Sequence, residues 1–153
     1  MPDTASELTV AIRRLPGHEQ MDLPEYQSEL AAGMDLYAAI DEKTTLQPGE
    51  ITLVPCGIAI ALPAGYEAQV RPRSGLAVRH GVTVVNAPGT IDADYRGEIK
   101  VGLINHGREP VDIDPAMRIA QLVVAPVTRV QWQPVEDLPA TARGAGGFGH
   151  TGH

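Results

Sequence analysis

Turn residues divide this chain into segments that are too short for long helices. Its 153 residues include 16 glycines and 13 prolines, and the apolar residues between them form short runs without a sustained helical period. Many short β-rich runs between turns are typical of sandwiches and barrels. A chain of this length is most simply one domain with a substantial core. The sequence therefore predicts a single all-β domain with one short helix.

The individual strands are predicted from the runs between these turns. After Gly97, apolar and other residues alternate with a period of two, which indicates a half-buried strand. The other runs are short stretches rich in apolar residues. Strands are predicted at 8–15, 51–54, 57–62, 66–70, 82–85, 99–103 and 117–127.

Three weaker expectations concern the remaining segments. Residues 16–24 are predicted to form a loop, and residues 26–30 are a weak candidate for a turn of helix. The run 117–127 is apolar enough to predict burial on both of its faces. Trp132, which follows it, is expected to pack rather than to contact a ligand.

Composition limits the partners of this chain. The net charge of −7 argues against a nucleic-acid backbone as partner. No apolar run approaches the roughly 20 residues that span a bilayer, so no membrane association is expected. The first ten residues lack the basic and apolar regions of a signal peptide. A single cysteine, Cys56, fits a reducing compartment, and a cytoplasmic location is expected.

The charge is distributed unevenly along the chain. Residues 1–67 contain 3 basic and 11 acidic residues, a charge of −8, whereas residues 68–153 contain 9 and 8, a charge of +1. Scattered surface arginines are one explanation. A focused site for a small polyanion, set in an acidic surround, is the other.

Residues 86–98 combine turn formers with carboxylates. Asp92 and Asp94 lie in this stretch between two predicted strands, which indicates a tight hairpin or corner with acids at its rim. A solvated acidic turn is the simpler interpretation of the stretch when it is taken alone.

Residues 71–81 alternate arginines with small residues. Ser74 and Gly75 are predicted to cap a short helical segment that ends at Gly81. Backbone N–H groups at such a start, with arginines on either side, can bind phosphate, although an ordinary capped turn is an equal alternative.

Two later features bear on ligand binding. Strict alternation places Arg118 and Gln121 on opposite faces of one strand, so both would meet one ligand only through a bulge or through an interface on each side. From Leu138 the chain is rich in glycine and too polar to fold alone, with Arg143 and Phe148 in the segment RGAGGFG. This tail is predicted to become ordered over a ligand, and a frayed terminus is the alternative.

Together these segments resemble a known family. AGMDLYA, PRSGLA, GTIDADYRGEI, RIAQLVV and RGAGGFG, in this order, resemble the five motifs of the trimeric deoxyuridine triphosphate nucleotidohydrolases (dUTPases). The resemblance implies a distorted jelly-roll β-barrel over residues 1–137 and an arm over residues 138–153 that closes an active site. It also implies a homotrimer with sites at subunit interfaces. The implied reaction converts dUTP to dUMP and pyrophosphate, which limits uracil in DNA and supplies dUMP for dTMP synthesis.

The same resemblance assigns roles to individual residues. Asp92 would orient and deprotonate the water that attacks the α-phosphorus. Tyr95 would pack against deoxyribose and exclude a 2′-hydroxyl. Mg²⁺ would be bound chiefly by the phosphates and water, with Asp35 near its hydration shell. The implied substrate-binding positions are Arg73, Ser74, Gly75, Asn86, Gly89, Thr90, Ile91, Tyr95, Lys100, Arg118, Gln121, Arg143, Phe148, Gly149 and His150.

One position departs from the family pattern, and two other functions remain open. The family arm usually continues GFGSTG, and here His150 replaces that serine, where it would substitute as a hydrogen-bond donor to phosphate. A dCTP deaminase, or its bifunctional relative, shares the fold but needs a catalytic glutamate where this chain has Gly102. A non-catalytic nucleotide-sensing or protein-binding module is the second alternative.

Overall fold

The computed structural model describes residues 7–152, which fold mostly as β-strands with one short helix. The first six residues of the expected domain and the last residue of the expected arm lie outside this range. The elements in chain order are β1 Ala11–Arg14, β2 Met34–Tyr37, β3 Thr44–Leu46, β4 Ile51–Pro55, β5 Ile58–Ala61, β6 Tyr66–Arg71, α1 Ser74–His80, β7 Val82–Val84, β8 Gly89–Ile91, β9 Lys100–Asn105, β10 Val111–Ile113 and β11 Arg118–Pro126.

All pairings between these strands are antiparallel, and they form four sheets in the described chain. The larger sheets have the orders β2-β11-β6-β8 and β4-β9-β7, and β1 pairs with β5 and β10 with β3. Side chains from all these sheets meet in one apolar core, which includes the fully buried Leu36, Leu103 and Ile119. The result is a distorted, jelly-roll-like β fold, as the family resemblance implied. No helix in residues 7–152 has the length and apolarity needed to cross a membrane.

Most predicted strands are confirmed, but the helical turn at 26–30 is wrong. Tyr26 forms an isolated antiparallel bridge with Met34, and residues 29–30 form a turn. Pairing with the edge of β2 therefore overrides the weak local preference for helix. The short strands β3, β8 and β10 were not predicted, because three residues are too few to establish an alternating pattern.

Of the two forms predicted for residues 86–98, a tight hairpin or a corner, the structure has the corner. β7 and β9 do pair, with Val82 opposite Asn105 and Val84 opposite Leu103. Their connection, residues 85–99, contains β8, which leaves this sheet and pairs with β6 in the other one, Ile91 opposite Ala68. The acidic stretch therefore bridges two sheets, which fixes both of its ends.

The C-terminal part of the chain leaves the core after β11. Burial of β11 on both faces is only partly realised, since Ile119, Ala120 and Leu122 are buried while the residues toward its end are half-buried. The expectation that Trp132 packs is wrong for this single chain, because its side chain is 85% exposed. Among the described residues, no hydrogen bond or ion pair joins residues 128–152 to the rest of the fold.

Candidate active site

The carboxylate of Asp35 joins two arginines that are distant in sequence. Its Oδ1 lies 3.1 Å from Nε of Arg73, and its Oδ2 lies 3.5 Å from Nη1 of Arg118. Nη1 of Arg73 also donates a hydrogen bond to the backbone carbonyl of Arg118 at 3.2 Å. Only 13% of the Asp35 side chain is exposed, so this carboxylate orients both guanidinium groups in a partly desolvated setting.

A β-bulge in β11 brings Arg118 and Gln121 to the same face. Arg118 lies opposite Tyr37 and Ala120 opposite Leu36, so Ile119 is an extra residue in the ladder. Gln121 lies directly opposite Asp35, and directly opposed residues share a face of the sheet. A bulge was one of the two arrangements by which Arg118 and Gln121 could meet one ligand. It places both side chains beside the carboxylate of Asp35.

Gln121 is fixed from two sides. Its Nε2 donates a hydrogen bond to the carbonyl of Pro72 at 3.0 Å. Its Oε1 fills the space beside Gly33, where an added Cβ would lie only 2.4 Å away. Gly33 is therefore required by close packing, and Gln121 links β11 to the segment that leads into α1.

The helix α1 begins one residue away from the predicted cap. Arg73, rather than Ser74 or Gly75, is the N-cap residue, and its side chain makes no capping hydrogen bond. Ser74 is the first helical residue, and both Ser74 and Gly75 are exposed. Their N–H groups belong to the first turn, which has no intrahelical acceptors. The predicted end of the helix is confirmed, since Gly81 adopts a left-handed conformation with φ 70°.

The corner between β8 and β9 encloses a second group of candidate residues. A cavity of about 270 Å³ is lined by Thr90, Ile91, Asp92, Tyr95, Glu98, Ile99 and Lys100. The Asp92 side chain is exposed, and its backbone carbonyl accepts a hydrogen bond from the Tyr95 N–H at 3.1 Å. Nη1 of Arg96 donates to the carbonyl of Ala93, which stabilises the turn that presents Asp92.

Asn86 and Gly89 lie where the chain leaves β7 and enters β8, at the start of this corner. An added Cβ at Gly89 would lie 3.4 Å from Nδ2 of Asn86 and 3.3 Å from Cβ of Val70. The Asn86 amide therefore lies close to the Gly89 backbone, where a side chain would crowd it.

Two cavity residues were not predicted from the sequence, namely Glu98 and Ile99. The alternation that begins at Glu98 indicated a strand, and a strand residue beside a turn carries no separate signal for ligand contact. Their position follows from the corner that β8 forms when it pairs with β6.

The predicted arm residues are not brought to either group. Arg143, Phe148, Gly149 and His150 are all exposed, and the arm forms only local turns, such as Nε of Arg143 to the carbonyl of Gly146 at 2.7 Å. This arrangement in a single chain leaves the side chains of the arm free for contacts with another molecule.

Other reactive groups give no competing site. Burial, with a smaller effect of the Glu98 charge, raises the pKa of the Cys56 thiol to about 12, so a thiolate nucleophile is not available. A larger cavity of about 560 Å³ lies between β1 and β11, but its lining is mostly apolar, including Ile12, Leu23 and Val124. Within residues 7–152, no three His, Cys, Asp or Glu side chains group as a metal cage.

A β fold that combines paired arginines, a helix start and an exposed carboxylate fits the class of phosphoanhydride hydrolases that use no covalent nucleophile. Comparison with known proteins specifies the class further. The family model for dUTPase matches residues 19–152. A deoxyuridine 5′-triphosphate nucleotidohydrolase of Desulfotalea psychrophila is 63% identical over 134 residues, which cover 88% of this chain and 89% of that protein. One from Syntrophotalea carbinolica is 58% identical, over 95% of this chain and 97% of the relative.

Solved structures share the fold. A Staphylococcus bacteriophage 80alpha dUTPase with dUpNHpp superimposes with a TM-score of 0.85 at 24% identity, over 95% of this chain and 99% of that chain. A dUTPase from phage phi11 of S. aureus, which coordinates a structural Mg(II) ion, has a TM-score of 0.76 at 22% identity, over 85% and 98% of the two chains. At these identities the likeness establishes the fold alone.

This chain belongs to the dUTPase family. It is a dUTP diphosphatase, which hydrolyses dUTP to dUMP and pyrophosphate.

Proposed function

We propose that Asp92 activates the water that attacks the α-phosphorus of dUTP. The observation that supports this role is the exposed Asp92 carboxylate at the rim of the corner cavity, on a turn whose backbone is fixed by Tyr95 and Arg96. Attack on a phosphoryl group needs a positioned water and a nearby base rather than a covalent nucleophile.

Asp92→Asn tests this role. Because the amide cannot accept the proton, kcat is expected to fall by about 10²- to 10⁴-fold, while dUTP binding stays within a few-fold of wild type. Single-turnover rates and equilibrium binding of a non-hydrolysable analogue separate the two effects. Weak binding with an unchanged rate constant for the bound substrate would contradict the role.

The triphosphate is proposed to bind where Asp35 orients two guanidinium groups. Arg73 and Arg118 supply fixed positive charge, and the Ser74 and Gly75 N–H groups at the start of α1 supply donors. Gln121, fixed by Pro72, adds an amide on the same face of the sheet. Such fixed charges stabilise the developing phosphate charge without reorganising during the reaction.

The nucleoside is proposed to occupy the corner cavity. Asn86 and the backbone of Gly89, Thr90 and Ile91 would read the edge of uracil, and the Tyr95 ring would pack against deoxyribose. A 2′-hydroxyl would then meet the ring instead of open space, and Lys100 would add positive charge at the rim.

Mg²⁺ fits the donor set of this site only as an ion bound mainly by substrate. Mg²⁺ commonly uses one or two carboxylates together with phosphate oxygens and water. The described residues contain no cage of three such ligands, and Asp35 already accepts from two arginines. Asp35 would therefore approach the ion through its hydration water. The ion would neutralise charge on the phosphates when bound.

A homotrimer with sites at its subunit interfaces accounts for the exposed apolar surface. Ile51 and Leu53 project from the same face of β4, and Leu53 is 62% exposed. Val85 is also exposed, and it lies against Gly102, which is opposite Leu53 in the sheet. An apolar sheet face of this kind is typical of a protein interface.

The arm, residues 138–153, is proposed to close the site of a neighbouring subunit. Arg143 would bind the γ-phosphate, Phe148 would cover uracil, and Gly149 and His150 would approach the phosphates. The exposed side chains of these residues and the absence of bonds from residues 128–152 to the rest of the described fold support this role. Closure over bound substrate would exclude bulk water during hydrolysis.

The remaining partners follow from charge and chemistry. The net charge of −7 disfavours nucleic acid, and dUTP is the proposed small-molecule partner, with no role for a membrane. A cytoplasmic location agrees with a single, buried cysteine that needs no disulfide.

A further inference from the structure

The junction between β4 and β5 is joined to the corner cavity by an unusual backbone arrangement at Gly57. The Ile99 carbonyl accepts from the Cys56 N–H at 3.0 Å, and the Ile99 N–H donates to the Ile58 carbonyl at 2.9 Å. Gly57 lies between these two bonds in the left-handed conformation, with φ 68°. Its own N–H is therefore not used by the ladder and needs another acceptor.

The Glu98 carboxylate is that acceptor. Its Oε2 lies 3.0 Å from the Gly57 N–H in a partly buried position. Gly57 is closely surrounded, since an added Cβ would lie 2.9 Å from Cγ of His18 and 3.0 Å from Cβ of Ala39. A charge-assisted hydrogen bond to a crowded backbone group fixes the position of residue 98.

The backbone of Glu98 in turn contacts Tyr95. The Tyr95 hydroxyl donates to the Glu98 carbonyl at 2.8 Å. The Tyr95 ring lies across Gly97, where an added Cβ would be 2.5 Å from the hydroxyl oxygen. Because the ring contacts both residues, its orientation depends on the positions of Gly97 and Glu98. Glu98 and Tyr95 also line the same cavity.

We propose that Glu98 is a positioning residue for sugar selection. Its carboxylate fixes the backbone of residue 98 against Gly57, and its carbonyl then orients the Tyr95 ring in the cavity. Glu98 contacts no reacting atom, and it acts through Tyr95. The inference rests on the proposed packing of Tyr95 against deoxyribose.

Glu98→Ala removes the acceptor for Gly57 and leaves Asp92 in place. The expected result is a rise in KM for dUTP and a fall in the preference for dUTP over UTP, each of about 3- to 10-fold, with kcat within about twofold of wild type. Glu98→Gln retains a carbonyl oxygen that can accept from Gly57, so most of the selectivity is expected to return. A loss of kcat alone, or no change in the dUTP to UTP ratio, overturns the proposal.

A double-mutant cycle with Tyr95→Phe separates positioning from general stability. Tyr95→Phe removes the hydroxyl that contacts Glu98, so Glu98→Ala in that background is expected to change the dUTP to UTP ratio less than about twofold further. If the two effects on the ratio multiply, Glu98 does not act through Tyr95. Melting temperatures of all variants are recorded, because a merely structural role would lower them without changing the ratio.

Two comparisons complete the design. Asp94→Ala removes an exposed carboxylate of the same corner, and it is expected to leave the dUTP to UTP ratio unchanged.

If Glu98→Ala does not fold, Glu98→Asp, whose shorter side chain withdraws the carboxylate from Gly57, replaces it in the cycle. If Tyr95→Ala leaves the ratio unchanged, the proposed role of Tyr95 fails. If Tyr95→Ala changes the ratio and Glu98→Ala does not, this inference alone fails.

Discussion

At the scale of single residues, Asp35 illustrates how a structure refines a role assigned from sequence. The family resemblance placed this carboxylate near the hydration shell of Mg²⁺. The structure adds ion pairs with Arg73 and Arg118, two arginines that lie in different elements. The same carboxylate can orient both arginines and face hydration water, because a carboxylate has about four acceptor positions.

Asp35→Asn tests whether the Asp35 carboxylate orients Arg73 and Arg118 for the triphosphate. The loss of both ion pairs is expected to lower kcat/KM for dUTP by about 10- to 100-fold, because the guanidinium groups are no longer fixed for the triphosphate. Steady-state kinetics over a range of Mg²⁺ concentrations measure the effect. A defect that high Mg²⁺ restores completely would assign the role of Asp35 to the metal alone.

Asp112→Asn is the matched control for this variant. Asp112 of β10 pairs with Lys43, the residue before β3, at 3.1 Å, and both side chains are about half exposed. Exposed pairs contribute little to stability. Because Asp112 and Lys43 also lie outside both groups of candidate site residues, activity is expected to stay at the wild-type level.

At the scale of elements, the sequence predicted strands well wherever alternation or an apolar run extended over several residues. β5, β6 and β9 are examples, and the end of α1 at Gly81 followed from its glycine. The three-residue strand β8 was missed because its pairing with β6 depends on the other sheet, not on its own composition. The sequence predicted that Arg118 and Gln121 need a bulge or two interfaces, but only strand register shows which solution applies.

Gly57→Ala tests the junction that connects these elements. A left-handed conformation costs a non-glycine residue about 1–2 kcal/mol, and the contacts with His18 and Ala39 add to this cost. The free energy of unfolding is expected to fall by about 2–4 kcal/mol, as measured by denaturant titration.

Gly65→Ala separates the two contributions to that loss. Gly65 also has a left-handed conformation, with φ 88°, but no atom lies within 4 Å of an added Cβ. The expected loss is therefore only the conformational cost of about 1–2 kcal/mol. Equal losses at the two positions would show that crowding at Gly57 has no effect.

At the scale of the whole molecule, we propose that one chain does not complete the site. In the proposed trimer, contacts between subunits would cover the exposed face of β4 and the exposed arm, and no property of one chain's core determines such contacts. The family resemblance assigned Arg143 and Phe148 to an arm that closes an active site. In the proposed trimer their approach to a substrate depends on a neighbouring chain, so sequence patterns alone could not position them.

Leu53→Asp tests the trimer. A charge on the exposed apolar face of β4 is expected to convert a trimer of 16.3 kDa chains into monomers and to reduce activity with it. Light scattering coupled to gel filtration measures the mass. Leu30→Asp, at a position outside this sheet that is even more exposed than Leu53, serves as the control and is expected to remain trimeric. A trimeric, active Leu53→Asp protein would contradict this interface.

Deletion of residues after Leu138 tests the arm. Residues 139–152, the described part of the deleted segment, make no hydrogen bond to the rest of the fold. The melting temperature is therefore expected to change little. The loss of the proposed γ-phosphate and uracil contacts is expected to lower kcat/KM by at least about 100-fold. Normal hydrolysis of dUTP by the truncated protein would remove the arm from the mechanism.

The most direct test of the central claim is hydrolysis of dUTP in ¹⁸O-labelled water. If Asp92 directs water to the α-phosphorus, the new oxygen is bonded to that phosphorus, and mass spectrometry will find one ¹⁸O in dUMP and none in pyrophosphate. Label in pyrophosphate and not in dUMP would mean attack at the β-phosphorus, and it would contradict the position that we assign to Asp92 and its water.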